Sequence, residues 1–116
     1  MKTETSKPYY MHIAGEIDGL SLDRLSYTDI DGSFRNLLQE LDVNIVKDDH
    51  YEFPGGGLSM VYILSASHLA IHTWPESCFL HFDLITCSTK AYFEEFKKCL
   101  IKSYPNSQIK ISNLEY

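Results

Sequence analysis

Apolar residues recur at helical spacing in two stretches of the chain. In residues 29–41 they fall at i, i+3, i+4 and i+7 and so share one face of a helix. These residues are Phe34, Leu37, Leu38 and Leu41. The second stretch begins at Ser88, where Ser88 or Thr89 can cap a helix, and it ends at Pro105 and Asn106. Its apolar stripe is formed by Phe93, Phe96, Leu100 and Tyr104.

Six other stretches carry the branched, aromatic or alternating patterns that are typical of β-strands. They are residues 9–17, 43–47, 58–65, 67–73, 78–86 and 107–114. The segment FPGGG at 53–57 is predicted to be a loop, because three adjacent glycines cannot hold a regular element. Strands that follow one another without a helix between them pair antiparallel. The order therefore predicts an α+β fold: a two-layer sandwich of an antiparallel sheet with two main helices packed on one face.

Length and charge narrow the function. A chain of 116 residues is the size of one domain, 1–116. Its formal net charge of -6 repels a phosphate backbone, so no nucleic-acid partner is expected. No apolar run approaches the ~18 residues that a membrane span needs, and the polar N-terminus lacks a signal-peptide core, so a cytoplasmic location is expected. Three cysteines without a C-x-x-C spacing argue against a disulfide framework: Cys78, Cys87 and Cys99.

The stretch SASHLAIHTWPE at 65–76 carries the candidate chemistry. If residues 67–74 form a strand, Ser67, Leu69, Ile71 and Thr73 share one face, and the other face holds His68, Ala70, His72 and Trp74. Two histidines on one face suggest a metal pair, but no third ligand stands at a diagnostic spacing, although His81 or Cys78 could lie near on a neighbouring strand. Structural histidines are favoured, and a zinc site through His68 and His72 is the least favoured alternative.

The same stretch is similar to the processing-site region of bacterial S-adenosylmethionine decarboxylase proenzymes. That family's pattern reads roughly E-S-H-L-x-I-H-T-W-P-E, followed by a strand that ends in D-x-x-T-C. This chain has SHLAIHTWPE at 67–76 and DLITC at 83–87. An F-x(5)-S element of the family matches Phe53 and Ser59. The resemblance covers most of the chain from His12 onward and is specific over 53–87.

The resemblance implies a proenzyme that cuts itself between Ala66 and Ser67. The Ser67 hydroxyl would attack the carbonyl of Ala66 to give an ester, and elimination and hydrolysis would leave a pyruvoyl group at the new N-terminus. The products would be a β chain, 1–66, and an α chain, 67–116. The pyruvoyl group, a covalent cofactor, would form a Schiff base with the amine of S-adenosylmethionine and accept electrons as carbon dioxide leaves. The product would supply aminopropyl groups for spermidine synthesis.

The resemblance also implies three catalytic roles besides that of Ser67. Cys87 would protonate the carbanion, which suits a thiol because its reference pKa of about 8.5 leaves it mostly protonated near neutral pH. His72 would remove the Ser67 α-proton during elimination, and Ser59 would stabilise the tetrahedral intermediate. The structural alternatives are a small buried side chain for Cys87, a sheet histidine for His72 and a strand-edge hydroxyl for Ser59.

Two further residues match substrate-binding positions of the family. Phe53 would stack on the adenine ring, and its alternative is ordinary core packing. Glu76 would accept hydrogen bonds from the ribose hydroxyls, and its alternative is a solvated residue after a proline. Trp74 is expected to be a packing residue. Family members pair as dimers whose active sites are completed between protomers, so a homodimer is expected.

Five positions depart from the family pattern, and one of them is Ser88, where the family usually has glycine after the cysteine. Ala66 replaces the usual glutamate before the serine, and Ile17 stands where relatives often carry an aromatic residue for the other side of the adenine. Leu80 and His81 add bulk where the family residues are usually small. Two alternatives stay open: a pyruvoyl decarboxylase of another amino acid, such as ornithine or arginine, and an unprocessed, non-catalytic paralogue that binds a nucleoside or partners a true decarboxylase subunit.

Overall fold

The computed structural model describes residues 10–87 and 92–115. Six strands and two α-helices are found in this part of the chain, with 3₁₀ helices at Leu22–Leu25 and Pro75–Ser77. The strands are β1 (Met11–Asp18), β2 (Ile45–Glu52), β3 (Leu58–Leu64), β4 (Ser67–Trp74), β5 (Phe79–Thr86) and β6 (Gln108–Leu114). The helices are α1 (Tyr27–Glu40) and α2 (Tyr92–Ser103). The start predicted for the first strand, and the helix caps predicted at Ser88 and Thr89, lie outside the described residues.

The strands form one sheet in the order β2-β3-β4-β5-β1-β6, and every neighbouring pair is antiparallel. Both helices contribute to a single apolar core against one face of this sheet. The predicted α+β two-layer sandwich is therefore confirmed. The opposite face, here called the open face, carries no helix from the described part of the chain. Its residues on β3, β4 and β5 are Ser59, Val61, Ile63, His68, Ala70, His72, Trp74, Phe79, His81, Asp83 and Ile85.

Helix α1 has capping groups at both ends. The Ser26 hydroxyl accepts a hydrogen bond from the Asp29 amide at 3.2 Å, which satisfies one of the unpaired N–H groups of the first turn. At the other end, Asp42 has a left-handed backbone with φ of 60°. The amide of Val43 then reaches back to the Leu38 carbonyl at 2.9 Å, the bond that typifies a Schellman turn. These caps fix the length of the helix that covers the sheet.

Strand β2 begins and ends later than the sequence predicted. The prediction of 43–47 followed the apolar residues, whereas the strand runs over Ile45–Glu52 and is polar for most of its length. Its polar side chains on the helix side have partners on α1, because Asp48 pairs with Arg35 at 2.7 Å and the ring of His50 stacks on Tyr27 with centroids 3.8 Å apart. A strand at the edge of the sheet with such partners does not show apolar alternation.

A polar cluster beneath this edge ties the sheet to α1. The Tyr62 hydroxyl donates to Asp31 at 2.6 Å, and Arg35 also binds Asp31, at 2.9 Å. Burial, followed by the hydrogen bond to Asp31, raises the pKa of the Tyr62 phenol well above its ordinary value. The guanidinium of Arg35 is held in its charged form by Asp48 and Asp31, which raise its pKa. The positive charge of Arg35 is thus balanced by the carboxylates of Asp31 and Asp48, and the Tyr62 hydroxyl has a hydrogen-bond acceptor.

Strand β1 is packed closely against its surroundings at Gly15. A Cβ atom at Gly15 would lie 2.4 Å from the Lys110 carbonyl oxygen and 2.6 Å from the ring of Phe82. Glycine at this position allows Phe82 to lie across β1 and to reach α2, where its centroid is 5.5 Å from that of Phe96. Neither described helix is long and apolar enough to cross a bilayer.

Candidate functional site

Strand β4 carries most of the candidate residues and alternates as the sequence predicted. Leu69 and Ile71 are fully buried, whereas His68 and His72 are exposed on the open face. Because successive side chains of a strand point to opposite faces, both histidines point away from the core. The structural alternative expected partly buried histidines, and both are exposed instead.

The hydroxyl of Ser59 and the imidazole of His72 form a direct pair. The two residues are cross-strand neighbours on β3 and β4, and Ser59 Oγ lies 2.8 Å from His72 Nδ1. When Nδ1 carries the proton and donates to this hydroxyl, the lone pair of the ring is on Nε2. The pair thus presents an oriented imidazole that can accept a proton from a group above the open face.

A cleft of about 600 Å³ lies beside this pair. It is lined by Phe53, Glu76 and Trp74 as well as by Ser59 and His72. The 53–57 loop forms one wall, and hydrogen bonds between Phe53 and the glycines close it, at 2.7 Å to the Gly57 carbonyl and 2.9 Å from the Gly56 amide. Gly55 and Gly56 have φ of 101° and 103°, a backbone conformation that other residues rarely adopt.

The aromatic side chains of the cleft are accessible to a ligand. Phe53 is 49% exposed, so it is not a core residue, and its ring makes a T-shaped contact with the ring of Tyr51, at 4.8 Å between centroids. Trp74 packs on Phe79 at 5.7 Å, as expected of a packing residue, yet it is 43% exposed and also lines the cleft. Since Glu76 lies at the same rim, the cleft offers two aromatic rings and one carboxylate.

The residues at the proposed cleavage point lie in the hairpin between β3 and β4. Leu64 pairs with Ser67, so the turn consists of Ser65 and Ala66 alone. Cys87, which follows β5, contacts both groups of the proposed reaction: its amide donates to Ser67 Oγ at 3.2 Å, and its thiol contacts the Ala66 carbonyl oxygen at 3.2 Å. Sequence reasoning gave Cys87 a single role, because spacing alone cannot show a contact with the preceding hairpin.

The candidate residues therefore fall into two groups at opposite ends of β4. The serine half-site consists of Ala66, Ser67 and Cys87, and the histidine half-site of Phe53, Ser59, His72 and Glu76. Ser67 and His72 are five residues apart in the strand, which is roughly 17 Å at about 3.4 Å per residue. An imidazole at that distance cannot take a proton from Ser67. A single chain therefore does not bring the predicted nucleophile and the predicted base together.

The departures from the family pattern have unequal weight in the structure. Ile17 and Leu80 are fully buried on the helix side of the sheet, so neither lines the cleft. His81 lies on the open face between His72 of β4 and Glu16 of β1. Of the three positions that motivated a different substrate, only His81 borders the site.

The remaining polar residues of the open face include a His12–Asp83 pair and offer no metal site in the described part of the chain. The imidazole of His12 binds Asp83 at 2.5 Å, which gives the aspartate of the DLITC motif a partner on β1. Among residues 10–87 and 92–115, no three His, Cys, Asp or Glu side chains lie close enough to hold a metal ion. A zinc site through His68 and His72 thus gains no third ligand there.

Comparisons with known proteins converge on one family. The family model described as S-adenosylmethionine decarboxylase matches residues 11–115. A protein of Clostridium botulinum strain Hall, an S-adenosylmethionine decarboxylase proenzyme, is 34% identical over 109 residues, covering 84% of this chain and 94% of its own. The proenzyme of the same name from Picrophilus torridus is 26% identical over 106 residues, covering 90% and 82%. The crystal structure of the adenosylmethionine decarboxylase from Aquifex aeolicus superposes with a TM-score of 0.80 at 22% identity, covering 95% of this chain and 92% of that one.

Proposed function

Because the chain belongs to the S-adenosylmethionine decarboxylase family of carboxy-lyases, we propose that it decarboxylates S-adenosylmethionine after cutting itself between Ala66 and Ser67. The observation that carries the proposal is the position of Cys87. Its amide and its thiol contact, respectively, the hydroxyl that would attack and the carbonyl that would be attacked. The amide contact could be made by any residue at this position, whereas the contact with the carbonyl oxygen requires a side-chain donor such as the thiol.

The contacts of Cys87 suit an N-to-O acyl shift. The amide N–H holds Ser67 Oγ next to the scissile peptide, and the S–H group donates to the Ala66 carbonyl oxygen, where negative charge develops when the hydroxyl adds. The Ser67 hydroxyl also lies 3.3 Å from the Ser65 carbonyl, which can take its hydrogen bond before the reaction. Alanine at the scissile position is compatible with this chemistry, because the reacting carbonyl belongs to the backbone.

A homodimer supplies the residues that one chain places too far away. In the proposed dimer the two open faces stack on each other. The two-fold axis lies between the sheets and runs across the strands, so the strands of one sheet run opposite to those of the other. The hairpin end of β4 in one protomer, which carries the serine half-site, then lies over the end of β4 that carries the histidine half-site in its partner, and the assembly contains two such pairs of half-sites. Exposed apolar side chains on the open face support this contact, since Val61 and Ile63 are 39% and 47% exposed.

Within such a site, the Ser59–His72 pair of one protomer acts on Ser67 of the other. The hydroxyl of Ser59 adds a donor near the tetrahedral centre, and His72 removes the α-proton of Ser67 once the ester has formed. Ser67 would supply the three carbons of a pyruvoyl group: its Oγ would leave with the new carboxylate of the 1–66 chain, and its nitrogen would leave as ammonia when water adds the ketone oxygen, so the residue fits that cofactor. When present, the group supplies a ketone that withdraws electrons as the carboxylate of the substrate leaves.

The cleft at the histidine half-site holds the rest of the substrate. The exposed face of Phe53 stacks on the adenine, and Glu76 accepts hydrogen bonds from the ribose hydroxyls. After carbon dioxide has left, the thiol of Cys87 protonates the carbanion, which is consistent with its place beside Ser67. The product is an aminopropyl donor for spermidine synthesis, and the expected location is the cytoplasm.

Intact mass of the purified protein tests the proposal. We expect two fragments divided at Ala66–Ser67, and a single intact chain for Ser67→Ala. The matched control is Ser65→Ala, which removes a hydroxyl from the same turn and should be cut normally. Cyanoborohydride with S-adenosylmethionine should add mass to the 67–116 fragment, and labelled carbon dioxide should be released. An intact wild-type chain contradicts the proposal, and release of carbon dioxide only from ornithine or arginine contradicts its substrate.

A further inference from the structure

Ala66 has an unusual backbone conformation for its residue type. Its φ is 61°, and among the described residues only two others besides glycine have positive φ, Asp42 and Cys78. In this left-handed region Cβ crowds the carbonyl oxygen that follows it, a contact that glycine lacks and that aspartate can offset with local hydrogen bonds. Alanine has no such compensation. The residue whose carbonyl would be attacked is therefore held in a strained state.

The surrounding structure prevents Ala66 from relaxing. Leu64 and Ser67 close the hairpin as a cross-strand pair, so two residues must reverse the chain. The contact between the Ala66 carbonyl and the thiol of Cys87 fixes the orientation of the peptide from the other side. Both constraints act through the peptide bond that joins Ala66 to Ser67. The acyl shift replaces that bond with an ester through Oγ, which adds one atom between the Ala66 carbonyl carbon and Ser67 Cα and so loosens the two-residue turn.

We propose that the left-handed backbone of Ala66 is a strained element that is released by self-cleavage and thereby favours it; this inference rests on the proposed function. In the acyl shift, Ser67 Oγ forms a bond to the Ala66 carbonyl carbon, the C–N bond breaks, and the hydroxyl proton ends on the Ser67 amine. An amide is more stable than the ester that replaces it, so this step is unfavourable in an unstrained chain. Strain present only in the amide shifts the balance towards the ester.

Substitution of Ala66 by glycine distinguishes the effect of backbone strain from the effect of the turn geometry. Ala66→Gly keeps the left-handed turn, because glycine adopts positive φ freely, but removes the crowded Cβ. We expect the rate of cleavage to fall about fivefold or more, the factor that corresponds to the usual cost of a left-handed alanine. Ala66→Asn, a residue that tolerates this conformation better, should cleave at an intermediate rate.

The strain is also measurable without cleavage. In a Ser67→Ala background, which keeps the chain whole, Ala66→Gly should raise the midpoint of thermal unfolding. The matched control is Ala14→Gly on β1, where the backbone is extended, and there the midpoint should fall because glycine gains more freedom on unfolding. Ala14→Gly in the Ser67 chain should be cut at the wild-type rate.

The outcomes separate this inference from the proposed function. The inference is supported if the wild type cleaves, Ala66→Gly cleaves more slowly, and Ala66→Gly raises the midpoint of thermal unfolding in the Ser67→Ala background. Wild type that cleaves no faster than Ala66→Gly, or a midpoint that falls at both alanines, overturns the inference and leaves the proposed function intact. A wild-type chain that is never cut overturns both.

Discussion

Mixing two inactive variants tests the division of the site between protomers. Ser67→Ala removes the nucleophile from the serine half-site, and His72→Ala removes the base from the histidine half-site. The roughly 17 Å between these positions on one strand means that no chain can use both residues itself. Each variant alone should stay uncut. Co-expression should restore cleavage, because a mixed dimer contains one site with an intact Ser67 and an intact His72.

The expected yield follows from the symmetry of the dimer. With equal amounts of two variants and random pairing, about half of the dimers are mixed, and each mixed dimer has one native site and one doubly altered site. About a quarter of all sites should therefore be native. The assay is intact mass, in which only His72→Ala chains should be cut, and decarboxylation should recover to about a quarter of the wild-type rate.

The control pairs two variants from the same half-site. Ser67→Ala and Cys87→Ala both alter the serine half-site, so every site that has the native nucleophile lacks the thiol, and co-expression should give no native site. Phe53→Ala with His72→Ala is the control at the other end of the strand, and it is read by decarboxylation alone: no site has both the ring and the imidazole, although His72→Ala chains should be cut because the partner's His72 is intact. Recovery of decarboxylation in these pairs, or no recovery with Ser67→Ala and His72→Ala, would refute the division of the site between protomers.

Three further predictions concern the free energy of unfolding, measured with denaturant. Cys78→Gly should raise it by up to about 1 kcal/mol, because Cys78 has a left-handed backbone with φ of 52°. Gly15→Ala should lower it by about 1–3 kcal/mol, since no space exists for the added methyl group. Tyr62→Phe should lower it by about 1 kcal/mol through loss of the bond to Asp31. The raised pKa of Tyr62 also predicts that the stability of the wild type is retained below pH about 10 and falls above it, because the phenol ionises first in the unfolded chain. The phenylalanine variant should lack this contribution. If its free energy of unfolding falls with pH as steeply as that of the wild type above pH about 10, the prediction is contradicted.

The sequence predicted the strands that bury every second residue in the core. It did not predict the extent of β2, which has few residues in the core. Strands β3, β4 and β5 bury every second residue, so apolar alternation located them to within a residue or two. Strand β2 lies at the sheet edge and uses Asp48 and His50 to contact α1, so its pattern is polar. Periodicity reports contact with an apolar core, and this strand has little of it.

The candidate site shows the same limit in another form. Motif spacing predicted residues of both half-sites, and the predicted strand 67–73 already separates Ser67 from His72 by five residues. What the pattern could not show is which other candidate residues lie beside each end of that strand. The contacts of Cys87 depend on the register between β4 and β5, and the exclusion of Ile17 and Leu80 from the cleft depends on which face of the sheet the helices cover.

In the proposed dimer, the placement of nucleophile and base on different protomers would also control when cleavage occurs. A monomer holds the left-handed Ala66 beside the contacts of Cys87, but the imidazole proposed to complete the elimination is out of reach of Ser67. On this proposal the ester can form and revert in a lone chain, whereas the irreversible step requires the open face of a second copy. The same contact would enclose the new N-terminus between two sheets and bring the substrate cleft to it. Assembly would therefore precede the loss of the serine, and the ketone would arise only where its substrate can reach it.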